Sequence, residues 1–148
     1  MAGKADRLAE FVELRSPDQR LPAVCERIAF HYERGATVLV FAPGAADAQA
    51  LDDLLWTFRQ NAFIPHVRLE RAEEPLIEPV VIFSDAPGDL DADVLLLLVS
   101  AEVLPDWFSR FACLCDLAPV YDEKLREAAR RRYAACREAG YHMKFVKP

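Results

Sequence analysis

The chain has 148 residues, of which 53% are hydrophobic and 28% charged. Those proportions fit a soluble globular protein, and the length suits one domain with a sizeable core. The longest apolar run, Val94 to Val99, is far too short for a bilayer, and the opening MAGKADRLAE holds no signal-peptide core. A cytoplasmic protein without a membrane segment is therefore expected.

Residues 1–6 read as a disordered start, followed by a short strand from Leu8 to Leu14. Ser16-Pro17-Asp18 then reads as a helix start, with Ser16 as N-cap and Pro17 in the first turn. That helix runs to Arg34 with Leu21, Val24, Cys25, Ile28 and Tyr32 inward. Gly35 ends it in a position suited to the left-handed conformation. Thr37 to Ala42 is a continuous apolar run, the mark of a strand covered on both faces. Pro43-Gly44 turns the chain into a second helix from Ala45 to Phe58. Residues 67–78 hold a short strand at most and an acidic loop. Val80 to Phe83 and Val94 to Val99 are two more buried strands, separated by a Pro/Gly/Asp-rich loop. A short helix is expected within Pro105–Arg110, and a fifth strand from Ala112 to Leu117. Asp122 caps a last helix ending at Gly140, and His142 to Val146 closes the chain as a strand. Strands alternating with helices predict an α/β fold: a mostly parallel sheet with helices on both faces.

Several chemistries lack their motifs. The turn after TVLVFA is PGAADAQA, with one glycine where a dinucleotide fold needs three. No G-x-x-x-x-G-K-[ST] or G-x-S-x-G occurs, and no acidic pair ends the first strand. His31, His66 and His142 are scattered, and His66 reads as structural in its loop. Cys25, Cys113, Cys115 and Cys136 form no C-x-x-C and no Cys/His cluster, so reduced buried thiols are expected and no zinc site. The sequence calls for no cofactor and no metal. It predicts a binding module. The competing reading is an enzyme or small-ligand domain with a pocket near Gly44, Ser84 and Ser100, at the carboxyl ends of the strands.

Two stretches carry binding chemistry. In LDDLLWTFRQNAFIPHVRL, Leu51–Leu69, helical spacing puts Ala48, Leu51, Leu54, Leu55 and Phe58 on one apolar stripe. Trp56 points away from it, just before a loop stiffened by Pro65. Either Trp56 packs under that loop or it anchors a partner, a role in which Trp is over-represented. The other stretch is basic. Residues 1–120 carry 10 basic and 20 acidic side chains, a net −10, and residues 121–148 carry 8 and 4, a net +4. An acidic chain is a poor general binder of nucleic acid, and a local basic patch suits an acidic peptide. On the last helix Leu125, Ala129, Cys136 and Ala139 form the buried side. Arg126, Arg130, Tyr133 and Arg137 share a different stripe. That stripe is either a solvated face or a receptor for a carboxylate joined to an apolar group. Arg132 falls on the core side and needs a partner; Asp116, an acid in an apolar strand, is predicted to pair with it.

The LDDLLW stretch followed by AFIPH resembles the chi subunit of bacterial DNA polymerase III, an accessory protein of the clamp loader. Tyr121–Val146, YDEKLREAARRRYAACREAGYHMKFV, resembles the C-terminal helix and last strand of the same family. A looser likeness between them keeps the strand order, so the resemblance covers nearly the whole chain. It implies a non-catalytic, Rossmann-like fold that binds no nucleotide. One face would bind the psi subunit of the clamp loader, through Trp56, Phe63, Ile64 and Pro65, with a helicase as a competing partner there. Another would bind the acidic, Phe-terminated tail of single-stranded DNA-binding protein, through Arg126, Arg130 and Tyr133, with Arg137 on the same stripe. Specific nucleic-acid binding is not implied. The family often carries a lysine after that tyrosine; here the residue is Ala134, and Arg131 or Arg137 is the candidate replacement.

Overall fold

The runs VLVF, VVIF and VLLL carry no polar residue that could face water, so they need cover on both sides. All three lie in the interior of a seven-stranded sheet. The computed structural model describes residues 7–59, 63–69, 78–99 and 103–147. Residues 1–6, expected to be disordered, lie outside these, as do Ser100 and most of the acidic loop after residue 69. The strands are β1 (Leu8–Leu14), β2 (Val38–Phe41), β3 (His66–Leu69), β4 (Val80–Phe83), β5 (Val94–Leu97), β6 (Cys113–Pro119) and β7 (His142–Val146). Their order is β3-β4-β2-β5-β6-β1-β7, and every pairing is parallel.

Strand alternation sorts the side chains into two cores. On one face Val12, Leu14, Val40, Ile82, Leu96 and Leu117 meet helices α1 (Arg20–Glu33) and α2 (Ala45–Thr57). On the other, Ala9, Phe11, Leu39, Phe83, Leu95 and Leu114 meet Cys136 of α3 (Glu123–Glu138) and the Trp107–Phe111 segment. This is a Rossmann-like α/β arrangement with helices on both faces.

The expected elements recur with shifted ends. Pro17 opens a 3-10 turn, Pro17–Gln19, and the α-helix starts only at Arg20. Ser16 makes no side-chain cap bond there; its backbone is extended, and Gln19 Oε1 instead accepts from the Arg15 N–H at 2.7 Å. Ala29 and His31 join the buried face of α1, whereas Leu21 and Tyr32 are only half-buried. The expected helix near Pro105–Arg110 is a 3-10 turn, Phe108–Arg110. Strand β3 begins at His66. Asp122 does cap α3, accepting from the Leu125 N–H at 3.0 Å. Gly35 and Gly140 hold positive φ after α1 and α3, where a Cβ would be strained.

All four cysteines are free thiols. Burial pushes Cys25 and Cys136 up to about 12 and Cys113 up to about 11, so none is a thiolate near neutrality.

Candidate protein-binding site

Helix α3 runs back along the sheet and sets three stripe residues over one recess. Arg126, Arg130 and Tyr133 line a cavity of about 380 Å³ whose floor is Phe11, Ala118, Pro119 and Phe145. Tyr133 meets Phe11 edge-on, with centroids 5.3 Å apart, and stacks on Phe145 at 5.5 Å. Phe145 remains 62% exposed, and Val120 at the rim is also exposed. Arg130 contacts Glu127 at 3.3 Å, but both side chains are more than half exposed, so the pair holds it weakly. Arg137 shares the helical stripe and is exposed, yet it lies one turn beyond the recess and does not line it. Arg126 and Arg130 thus stand over apolar floor, an arrangement that accommodates an anion joined to a ring.

A second patch forms where α2 meets β3. Trp56 is 54% exposed and Phe63 is 65% exposed. Trp56 lies 5.6 Å from the Phe63 ring and 4.4 Å from the His66 ring. It therefore packs against the loop and faces solvent at once. His66 is the buttress. Its Nδ1 bonds the Ile64 carbonyl at 2.7 Å, and its Nε2 lies 3.1 Å from Asp52 Oδ1 without hydrogen-bond alignment. Pro65 is half-buried, but Ile64 is buried in the core. Ile64 thus corrects the sequence-based patch: the alternation that exposes Phe63 turns the next residue inward.

Two buried ionic groups are structural. Arg132 Nε donates to Asp116 Oδ2 at 2.7 Å, and Arg132 also donates to the Leu117 carbonyl at 3.2 Å. Both side chains are only 1% exposed. Burial pushes the Asp116 carboxyl above its ordinary range, with Arg132 opposing. On the other face Glu10 receives Arg27 at 2.6 Å and His31 at 2.8 Å. Burial alone would raise Glu10, but bonds from His31 and Arg27 outweigh it and hold the carboxyl below its usual value. Cys113 completes a Glu10–His31–Cys113 cluster with ligand atoms within 4.8 Å of one another. Sequence spacing gave no sign of such a Cys/His cluster; the pairing of β1 with β6 and the packing of α1 on the sheet assemble it. The Arg27 guanidinium already supplies positive charge to Glu10, the role a cation would play there.

A cavity of about 320 Å³ lies at the carboxyl ends of β1 and β6, where the small-ligand reading places a site, but not on the residues that reading names. Its lining includes Arg20, Asp47, Tyr121 and Arg132 rather than Gly44 or Ser84, and Ser100 lies outside the described residues. Arg20 is spent on Asp47 in a two-pronged pair at 2.8 and 3.1 Å, as Arg132 is on Asp116. Among the described residues no helix is long and apolar enough to cross a membrane.

The family model for the DNA polymerase III chi subunit, HolC, matches residues 7–144. The chain belongs to the DNA polymerase III chi subunit family. It is 31% identical to DNA polymerase III subunit chi of Pseudomonas aeruginosa over 125 residues, which cover 84% of each protein. It is 27% identical to the Escherichia coli subunit over 120 residues, 81% of this chain and 80% of the relative. The Haemophilus influenzae subunit is 29% identical over 80% of this chain and 81% of its own. By name the three relatives are subunits of DNA polymerase III. Within this chi-family chain, Phe11, Val120 and Phe145 belong to the α3 recess and escaped the sequence reading. Phe11 and Phe145 pair across β1 and β7 and so share a face, a register that the sequence alone does not carry.

Proposed function

We propose that this chi-family chain is a non-catalytic connector in DNA replication. It joins the clamp loader, through psi, to the acidic, Phe-terminated tail of single-stranded DNA-binding protein. The observation that carries the reading is the recess beneath α3, where Arg126 and Arg130 stand over Phe11, Tyr133 and Phe145. The tail's ring enters the recess, its terminal carboxylate meets a guanidinium, and its acidic residues see the basic C-terminal segment. Trp56 and Phe63, with Pro65, form the psi surface, which a helicase could share. The work is done by one domain in the cytoplasm, without cofactor, metal or direct sequence-specific contact with nucleic acid. Ala134 offers no charge beside Tyr133. Arg137 and Arg131 are both exposed, but neither lines the recess, so Arg126 and Arg130 carry its charge.

The test is calorimetric titration with the tail peptide, with and without its last Phe. Arg130→Ala should weaken binding by roughly 1–3 kcal/mol, and Trp56→Ala should leave the tail affinity alone while weakening psi. Affinity should fall as salt rises, since the rim charges are screened. Full affinity of the Arg130→Ala protein would reject its assignment, and equal binding of the peptide without Phe would reject the recess.

A further inference from the structure

Strand β7 ends the sheet and pairs with β1 alone. Its His142 N–H donates inward to the Arg7 carbonyl at 2.7 Å. In a parallel ladder alternate residues turn their N–H and C=O toward a given neighbour. Met143 and Phe145 therefore turn theirs to the open edge. Lysines often blunt such edges against unwanted pairing, and Lys144 alone would read that way.

The flanks of β7 go further. On the α3 side lies the recess of Phe11, Tyr133 and Phe145, with Arg126 and Arg130 above it. On the opposite side a cleft of about 580 Å³ runs between α1 and the end of β7, lined by Val12, Phe30 and Val146, with Arg34 and Lys147 at its rim. The acids of that cleft, Glu26 and Glu33, are both engaged by Arg59. A strand laid beside β7 would send successive side chains to the two sides in turn.

We propose that the β7 edge takes up an acidic peptide by strand addition, with alternate side chains entering the two recesses. This rests on the tail-binding reading above and supplies its mode. Charge selects the occupant. Two copies meeting edge to edge would bring Lys144 of one β7, and Lys147 just beyond it, against those of the other, and like charges across a strand pair are destabilising. An acidic strand meets them as counter-charges, while its main chain satisfies Met143 and Phe145.

The experiment walks single backbone N-methyl groups along the acidic, Phe-terminated peptide and measures binding to the full chain. Each methyl removes one donor and keeps every side chain. The expected result is a loss of roughly tenfold at every second position and little between. The Met143 and Phe145 amides should also exchange more slowly once peptide is added. If the unmodified peptide binds and all methylated peptides bind equally well, strand addition is overturned and the tail reading survives. If the unmodified peptide does not bind, both fall. Protection of those two amides in peptide-free protein that self-associates would make the edge a seam between copies and overturn the proposal.

Discussion

The buried Arg132–Asp116 pair can be broken cleanly by Arg132→Met. The substitution keeps an unbranched chain of similar length and removes the charge. Asp116, 1% exposed, then loses a donor at 2.7 Å and keeps the Leu117 N–H. Breaking a buried pair from one side costs about 3–5 kcal/mol. At about 2–4 °C per kcal/mol for a protein of this size, the melting temperature should fall by roughly 6–20 °C. The loss should depend on pH. Burial raises the folded-state pKa of Asp116 above the ordinary carboxylate value, so the fold favours its protonated form. That preference stabilises the protein below the unfolded value and is lost as pH rises through the folded one. Removing Arg132 takes away an opposing influence, so the deficit of Arg132→Met should be largest at neutral pH and shrink in acid. Adding Asp116→Leu should recover most of the stability, because paired apolar replacements of a buried ion pair are often neutral. Urea denaturation of the wild type, both single variants and the double variant measures the coupling. A deficit under about 1 kcal/mol at neutral pH would refute the reasoning, as would one that does not change with pH.

Glu10→Gln should show the opposite sense. Burial is outweighed by bonds from His31 and Arg27, which hold the Glu10 pKa below the ordinary carboxylate value in the folded state. Its contribution should be complete above that value and disappear as pH falls through the lowered one, so wild type and variant should converge in strong acid. Gly35→Ala isolates backbone strain. Gly35 sits at φ +81°, and a Cβ there meets nothing within 4 Å. The cost should be about 1–2 kcal/mol in thermal or urea unfolding; no measurable cost would mean the turn relaxes freely.

The centre of the sheet was legible because β2, β4 and β5 carry unbroken apolar runs, whereas β1 and β6, also interior, are interrupted by Glu10, Glu13 and Asp116. Asp122 and the glycines after α1 and α3 were legible because each acts through its own backbone neighbourhood. Ser16 misled because Pro17 admitted a 3-10 turn before the α-helix, a competition between two local geometries that differ little in energy. Arg132 could be matched to Asp116 because each, taken alone, was a charge without cover. The Glu10–Arg27–His31–Cys113 group was hidden because its members come from three elements that only strand pairing and the packing of α1 on the sheet bring together. The helical wheel overextended the Arg stripe. It gives direction around α3 but not position along it, and the recess ends before Arg137.

Position across the sheet decides whether two partners can be held together. Trp56 and Phe63 stand by β3, and the α3 recess stands by β7, the two ends of the strand order. Six strand spacings of about 4.8 Å separate those edges by roughly 29 Å before side chains are added. No side chain belongs to both patches, and the interior strands between them are packed on both faces. Substitutions that far apart, without shared partners, should add within about 0.5 kcal/mol. Trp56→Ala should therefore leave tail affinity intact, Arg130→Ala should leave psi affinity intact, and the double variant should show the sum of the two losses. A saturating amount of one partner should not displace the other in a sedimentation or anisotropy assay. Displacement, or a clear departure from additivity, would mean that the sheet transmits a change between its edges and that the chain acts as a switch instead of a tether.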